Sequence, residues 1–135
     1  MSTVDLKQYG YASRAAFLRD AAPSPETFQA MAASDDWRVQ KSTLLHPACP
    51  IEIRSAFSRD PIWYKRLVAI FATKAPADFW RMAEGDPDKR VQAVYKRKFD
   101  WESLTPEQKE ADYQARLKEY NDRQAELERI RNPQV

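Results

Sequence analysis

One phrase, Pro-x-x-apolar-x-x-small/apolar-apolar-x-x-Asp, occurs three times in this chain and constrains its fold more than any other feature. The copies run from Pro25 through Phe28, Met31 and Ala32 to Asp35, from Pro50 through Ile53, Ala56 and Phe57 to Asp60, and from Pro76 through Phe79, Met82 and Ala83 to Asp86. Each Pro stands ten residues before its Asp, and successive Pro residues are 25 and 26 apart. A fixed period of this size is the signature of stacked helical repeats. Pro suits the opening of each copy because its missing N–H costs nothing at the first helical position. The apolar residues of each copy fall at i, i+3 and i+4, on one helical face.

The segments after each Asp also correspond. Val39, Leu44 and Leu45 mark an inner face in the first, Leu67, Val68 and Phe71 in the second, and Val91, Val94 and Tyr95 in the third. Each repeat is expected to be a longer helix, a Pro-marked turn and a shorter helix. Neither helix alone buries its stripe, so stacking must make one continuous core. Asp35, Asp60 and Asp86 are expected to cap the helices that follow, where the helix dipole favours a carboxylate.

The order Asp-x-x-x-Val-x-x-x-x-Leu-Leu-x-Pro-x-x-Pro-x-x-Ile-x-x-Ala-Phe-x-x-Asp, residues 35–60, resembles the leucine-rich repeat variant. The resemblance covers residues 23–99 and departs from the pattern at Lys74-Ala75, which replace the family's first Pro. It implies an α-solenoid akin to HEAT repeats, in which one α-helix and one 3-10 or short helix form each repeat, with no common catalytic residues. One architecture of that family joins the repeats to an iron–sulfur cluster held by several cysteines. This chain has a single cysteine, Cys49, so that function is not carried over.

Composition supports helices over sheets. The chain has nine Pro but only two Gly, too few for hairpins whose turns need positive φ. Four Trp, six Phe and six Tyr supply a core for a domain of 135 residues. Cys49 alone cannot form an intramolecular disulfide, which fits a reducing compartment. Met1-Ser2-Thr3-Val4-Asp5-Leu6-Lys7 carries no apolar leader core, and no apolar run approaches the roughly 18 residues of a membrane span. A cytoplasmic setting is expected, with no membrane partner.

Three segments follow: an N-terminal segment and capping helix over residues 1–22, repeats over 23–99, and a linker with a long charged helix over 100–135. Ser13 is the expected N-cap of the first helix. Gly10–Asp20 also resembles the start of the second helix in ribbon-helix-helix repressors, but only ten residues stand where that fold needs a strand and a helix. Asp100–Leu104 reads as the linker. Thr105, Pro106 and Gln108 form a capping-box signal, and the helix is expected to run to Arg131. Tyr113, Leu117, Tyr120, Gln124 and Leu127 keep a 4-3-4-3 spacing, a narrow seam that suits a cap over the repeats or a projecting docking arm. The expected fold class is therefore all-α: a short right-handed α-solenoid of about three helical repeats with a long C-terminal helix.

The net charge of +2 is unevenly spread. Residues 36–99 hold thirteen Lys and Arg against seven Asp and Glu, and residues 100–135 hold six against nine. Side chains at equivalent repeat positions align into a stripe. The candidate partner-binding residues are Arg38, Lys41, Trp63, Lys65, Arg66, Arg81, Lys89, Arg90 and Arg97. His46 and Cys49 are the chain's only His and Cys, two short of a structural zinc site. No phosphate loop, dinucleotide fingerprint or nucleophile elbow is present. The expected function is a non-enzymatic protein-binding module, an adaptor or inhibitor of a larger assembly, with no cofactor, metal or small-molecule substrate. The alternative is a nucleic-acid-binding repeat protein that grips phosphates with the stripe and stacks bases on its Trp residues.

Overall fold

The computed structural model describes residues 5–133. The first four residues, which carry part of the leader reading, and the last two lie outside the described residues. Among the described residues there are seven α-helices, two 3-10 segments and no strand. The chain divides into two compact units, one ending at Tyr95 and one beginning at Lys96.

The first unit opens with a 3-10 turn, Lys7–Tyr9, closed by Gly10 at φ +91, a left-handed conformation that glycine adopts without strain. Helix α1 (Arg14–Arg19) starts at Ser13, whose Oγ accepts the Ala16 N–H at 3.1 Å. Helix α2 (Pro25–Ala32) starts at Ser24, with Pro25 at the first helical position. Leu6, Phe17, Phe28, Met31 and Val39, from the segments up to α3 (Trp37–Leu45), make the first core cluster. Ser42 and Thr43 on α3 are buried because their hydroxyls bond to the carbonyls of Arg38 and Val39 one turn back.

Helix α4 (Ile51–Phe57) has Pro50 at its N-cap and packs on α5 (Trp63–Phe71). Leu44, Phe57 and Ala69 form a second cluster that joins α3, α4 and α5. A third cluster, Ile70, Phe79, Trp80, Ala83 and Val91, brings together α5, the 3-10 helix Phe79–Ala83 and the start of α6 (Lys89–Glu102). The 3-10 helix differs from the first two copies because adjacent Phe79 and Trp80 both turn inward. Trp80 and Ala83, three apart, eclipse in a 3-10 turn, while Met82, expected inside, is 42% exposed. Gly85 at φ +76 then ends the segment.

Arg54 on α4 is 1% exposed. Its guanidinium donates to the carbonyl oxygens of Leu44 at 2.9 Å and Ala69 at 3.2 Å. Both acceptors lie in the last turns of α3 and α5, where carbonyls have no helical partner and the dipole is negative. This cation therefore fastens the ends of two helices with no carboxylate beside it among the described residues.

The second unit contains the last turns of α6 and helix α7 (Pro106–Arg131). Helix α6 continues to Glu102, so the expected linker shortens to Ser103-Leu104. Thr105 Oγ1 accepts the Gln108 N–H at 3.1 Å and Gln108 Oε1 accepts the Thr105 N–H at 2.8 Å, the full capping box. Lys109 and Arg116 of α7 lie 5.7 and 5.9 Å from the Trp101 ring. No described residue of α7 is buried.

Candidate functional site

One backbone contact recurs in steps of 26 residues. Gln40 Nε2 donates to the carbonyl of Ser34 at 2.6 Å, Arg66 Nη1 to that of Asp60 at 2.9 Å, and Gln92 Nε2 to that of Asp86. Ser34 Oγ, Asp60 Oδ1 and Asp86 Oδ1 in turn accept the N–H two residues on, from Asp36, Ile62 and Asp88 at 3.1, 2.8 and 2.9 Å. These bonds align Ser34, in place of the expected Asp35, with Asp60 and Asp86. The same frame puts Ser24 opposite Pro50, so the first copy of the sequence phrase is one residue out of register.

The equivalent positions Asp36 and Asp88 carry a second device. Asp36 Oδ1 accepts the Arg38 N–H at 2.9 Å and Asp88 Oδ1 accepts the Arg90 N–H at 2.8 Å. Each carboxylate also holds the same arginine by two guanidinium bonds, at 3.1 and 2.8 Å for Arg38 and 3.0 and 2.8 Å for Arg90. The Arg90 guanidinium, then the Arg90 backbone N–H, keep the Asp88 carboxyl at about 2 against the upward push of desolvation. The Arg38 guanidinium likewise lowers Asp36. Two arginines, 48% and 60% exposed at the side chain, thus present flat guanidinium faces whose charge is locally balanced.

Onto this frame the structure builds a ladder of aromatic and cationic faces. Trp37 and Trp63 are the first residues of α3 and α5. Each is covered by the residue 27 positions on: Tyr64 lies 5.4 Å from Trp37 between ring centroids, and the Arg90 guanidinium lies 3.6 Å from the Trp63 centroid. Trp63 meets Tyr64 edge-on at 5.8 Å, and Lys65 Nζ stands 5.7 Å from Trp37. The order Trp37, Tyr64, Trp63, Arg90 is therefore continuous. An open hollow of about 450 Å³ adjoins it, lined by Pro61, Ile62, Trp63, Arg66, Pro87 and Asp88.

Of the candidate residues, Arg38, Trp63, Lys65 and Arg90 belong to this ladder or its caps. Lys89 is exposed beside Arg90 at the start of α6. Lys41 is half-buried on α3. Arg81 stacks on Trp80 at 4.6 Å. Arg97 is exposed and lies in the second unit. Arg66 is part of the frame itself. Its guanidinium holds both oxygens of Asp86 at 2.9 and 3.0 Å, with side chains 12% and 6% exposed. Burial alone raises the Asp86 carboxyl, but the Arg66 guanidinium and the Asp88 N–H outweigh it and hold it below the usual range. Sequence reasoning misses Tyr64 as a site residue. Its signal is the 26-residue step to Arg90, visible only once the register is known.

The chemistry-bearing pair His46 and Cys49 is occupied by the fold. His46 is fully buried; its Nδ1 accepts the Ala48 N–H at 2.9 Å, so Nε2 donates to the Asp20 carbonyl at 2.7 Å. Phe17 and Phe28 pack on the ring at 4.8 and 5.3 Å. Burial pushes the Cys49 thiol up, offset in part by Arg54, the reverse of what an activated thiolate needs. Among the described residues no cluster of three or more His, Cys, Asp or Glu is placed to hold a metal. The site's resources are flat aromatic and guanidinium faces on rigid helix starts.

No family model, no curated protein and no solved structure matches this chain.

Proposed function

We propose that this chain is a non-enzymatic protein-binding module, an adaptor or inhibitor of a larger assembly. In this reading residues 23–99 are a short right-handed solenoid of about three repeats of the leucine-rich repeat variant or HEAT-like kind. The Gln40, Arg66 and Gln92 bonds, each to the carbonyl six residues back and 26 residues apart, support the repeat. The observation that carries the function is the ladder Trp37–Tyr64–Trp63–Arg90. Trp, Tyr and Arg are the residues enriched among binding hot spots, and here they start from a frame that is already ordered.

The second reading, nucleic-acid binding, rests on the basic stripe. It is the weaker because Arg38, Arg66 and Arg90 are each held by a carboxylate of the chain, at Asp36, Asp86 and Asp88. Phosphate binding would have to displace those bonds. Capture by the full chain at low salt, with and without nuclease, separates the two. A defined set of proteins that survives nuclease supports the module. Retained material that disappears with nuclease, with affinity falling steeply in salt, supports nucleic acid.

A further inference from the structure

We propose that the hollow between the ends of α2 and α4 is a seat for an arginine side chain of a partner protein. The proposal rests on the protein-binding reading above but not on the ladder. The hollow is open, measures about 420 Å³, and has Ala32, Ala33, Gln40, Ile53, Phe57 and Asp60 in its walls. The 26-residue step supplies a template for what fills it. That step carries Gln40 to Arg66 and Asp60 to Asp86. At the later positions the two side chains are joined. Arg66 Nε and Nη2 hold both oxygens of Asp86 at 2.9 and 3.0 Å, while Nη1 makes the carbonyl bond that recurs every 26 residues, here to Asp60.

At the earlier positions a glutamine stands where the later ones have the arginine. Gln40 Nε2 donates to the carbonyls of Ser34 at 2.6 Å and Ala32 at 3.5 Å, and these two acceptors fix which way the amide is turned. Its Oε1, an acceptor where Arg66 has donors, is buried without a hydrogen-bond partner among the described residues. Asp60 Oδ1 accepts the Ile62 N–H at 2.8 Å, as Asp86 Oδ1 accepts the Asp88 N–H at 2.9 Å, so each carboxylate is held in the same way by its own turn. Asp86 takes a guanidinium in addition to that bond. Asp60 forms no ion pair among the described residues, because the nearby Arg66 donates to Asp86 and to the carbonyls of Asp60 and Pro61. The side chain that complements the hollow is therefore a cation. The C-terminal turns of α2 and α4, at the negative ends of their dipoles, favour the same sign. Ile53 and Phe57 offer apolar surface to the carbon stem of a long side chain. A planar fork matches two carboxylate oxygens better than a compact ammonium does, which selects arginine over lysine.

The test titrates the full chain with N-acetyl-arginine methylamide and follows the backbone amide NMR signals. Shifts are expected at Ala33, Phe57 and Asp60. Asp60→Asn, which keeps an acceptor for the Ile62 N–H, is expected to weaken binding on the order of tenfold or more. The matching lysine amide is expected to bind more weakly than the arginine amide. Gln40→Arg, unfolding at or above the wild-type temperature, is expected to fill the seat from within the chain and abolish binding of the probe. The proteins retained by the wild type are expected to be lost with Gln40→Arg. No response to the arginine amide, equal binding of the lysine amide, binding unchanged in Asp60→Asn, or a Gln40→Arg variant that still binds the probe overturns the proposal. If Gln40→Arg retains the same proteins as the wild type, the partner's arginine is overturned while the module reading stands. If the wild type binds the probe but retains no protein, the module reading falls and the partner with it.

Discussion

The guanidinium of Arg66 grips both carboxylate oxygens of Asp86, twenty residues further on, with the two side chains only 12% and 6% exposed. The same arginine donates to the carbonyls of Asp60 and Pro61, so it fixes the entry to α5 and the entry to α6 at once. Removing one partner leaves an uncompensated buried charge. Arg66→Ala is expected to cost about 3 kcal/mol or more. Arg81→Ala, which loses an exposed stack on Trp80, is expected to cost less than about 1 kcal/mol. Urea denaturation of the two variants checks this; equal midpoints would remove Arg66 from the structural frame.

Arg54 makes a sharper case. It is a buried cation whose hydrogen bonds, among the described residues, are to the Leu44 and Ala69 carbonyls. Arg54→Ala opens a cavity and orphans two helix-end carbonyls, and is expected to cost about 3–5 kcal/mol. Arg54→Met refills most of the volume but not the hydrogen bonds, and is expected to fall between wild type and Arg54→Ala. A methionine variant as stable as wild type would show that the cation serves only to fill space.

These two arginines also show how far the sequence can be read. Ser13 and the Thr105–Gln108 box were legible because capping is local and depends on residues within one turn, the same reason Ser24 caps α2. The recurring apolar phrase was legible because its spacing is local. Its register was not: Pro25 sits at the first helical position and Pro50 at the N-cap, a shift that only the bonds of Gln40, Arg66 and Gln92 expose. Arg54 and Arg66 resemble any other cation in the stripe, because burial of an arginine depends on what neighbouring helices bring to it. Trp80 takes the inner place expected of Met82 for a similar reason: tertiary packing selects a 3-10 turn over an α-helix. Of the candidate site, Trp63, Lys65 and Arg90 were legible as members of a stripe, while their stacking order was not.

Stability should fall at both ends of the pH scale. Asp20, Asp36, Asp86 and Asp88 are all held below the ordinary carboxylate value of 3.8 in the folded chain. The unfolded chain therefore takes up protons first as pH falls, and the stabilisation present above about pH 4 is lost below it. Tyr11 behaves in the opposite sense. Its hydroxyl donates to the Asp20 carboxylate at 2.6 Å, and that bond, with burial and the nearby charge, pushes it from 10.0 up to about 12. Its contribution is whole below pH 10 and is lost as pH rises through 12. Thermal unfolding across pH should show both limbs, and Tyr11→Phe should weaken the alkaline limb and also reduce the acid one, because the Tyr11 hydroxyl bond is the main cause that holds Asp20 down. An unchanged alkaline limb would contradict this assignment.

His46 supplies a prediction about the N-terminal segment. Its ring joins the Asp20 carbonyl, after α1, to the Ala48 N–H, after α3. His46→Ala is expected to destabilise the chain by about 2–4 kcal/mol through the lost bonds and the cavity between Phe17 and Phe28. Hydrogen exchange should report earlier opening around α1 than around the 3-10 helix Phe79–Ala83. Uniform loss of protection would contradict the local role.

The most direct test of the account compares proteins captured by the full chain with those captured by a Tyr64→Ala/Arg90→Ala variant, both after nuclease and both shown to be folded by their unfolding temperatures. The ladder predicts that a defined set of proteins is retained by the wild type, reduced at least tenfold with the variant, and unaffected by a control change at the exposed Lys74, Lys74→Ala. The same proteins retained equally by the ladder variant would contradict it.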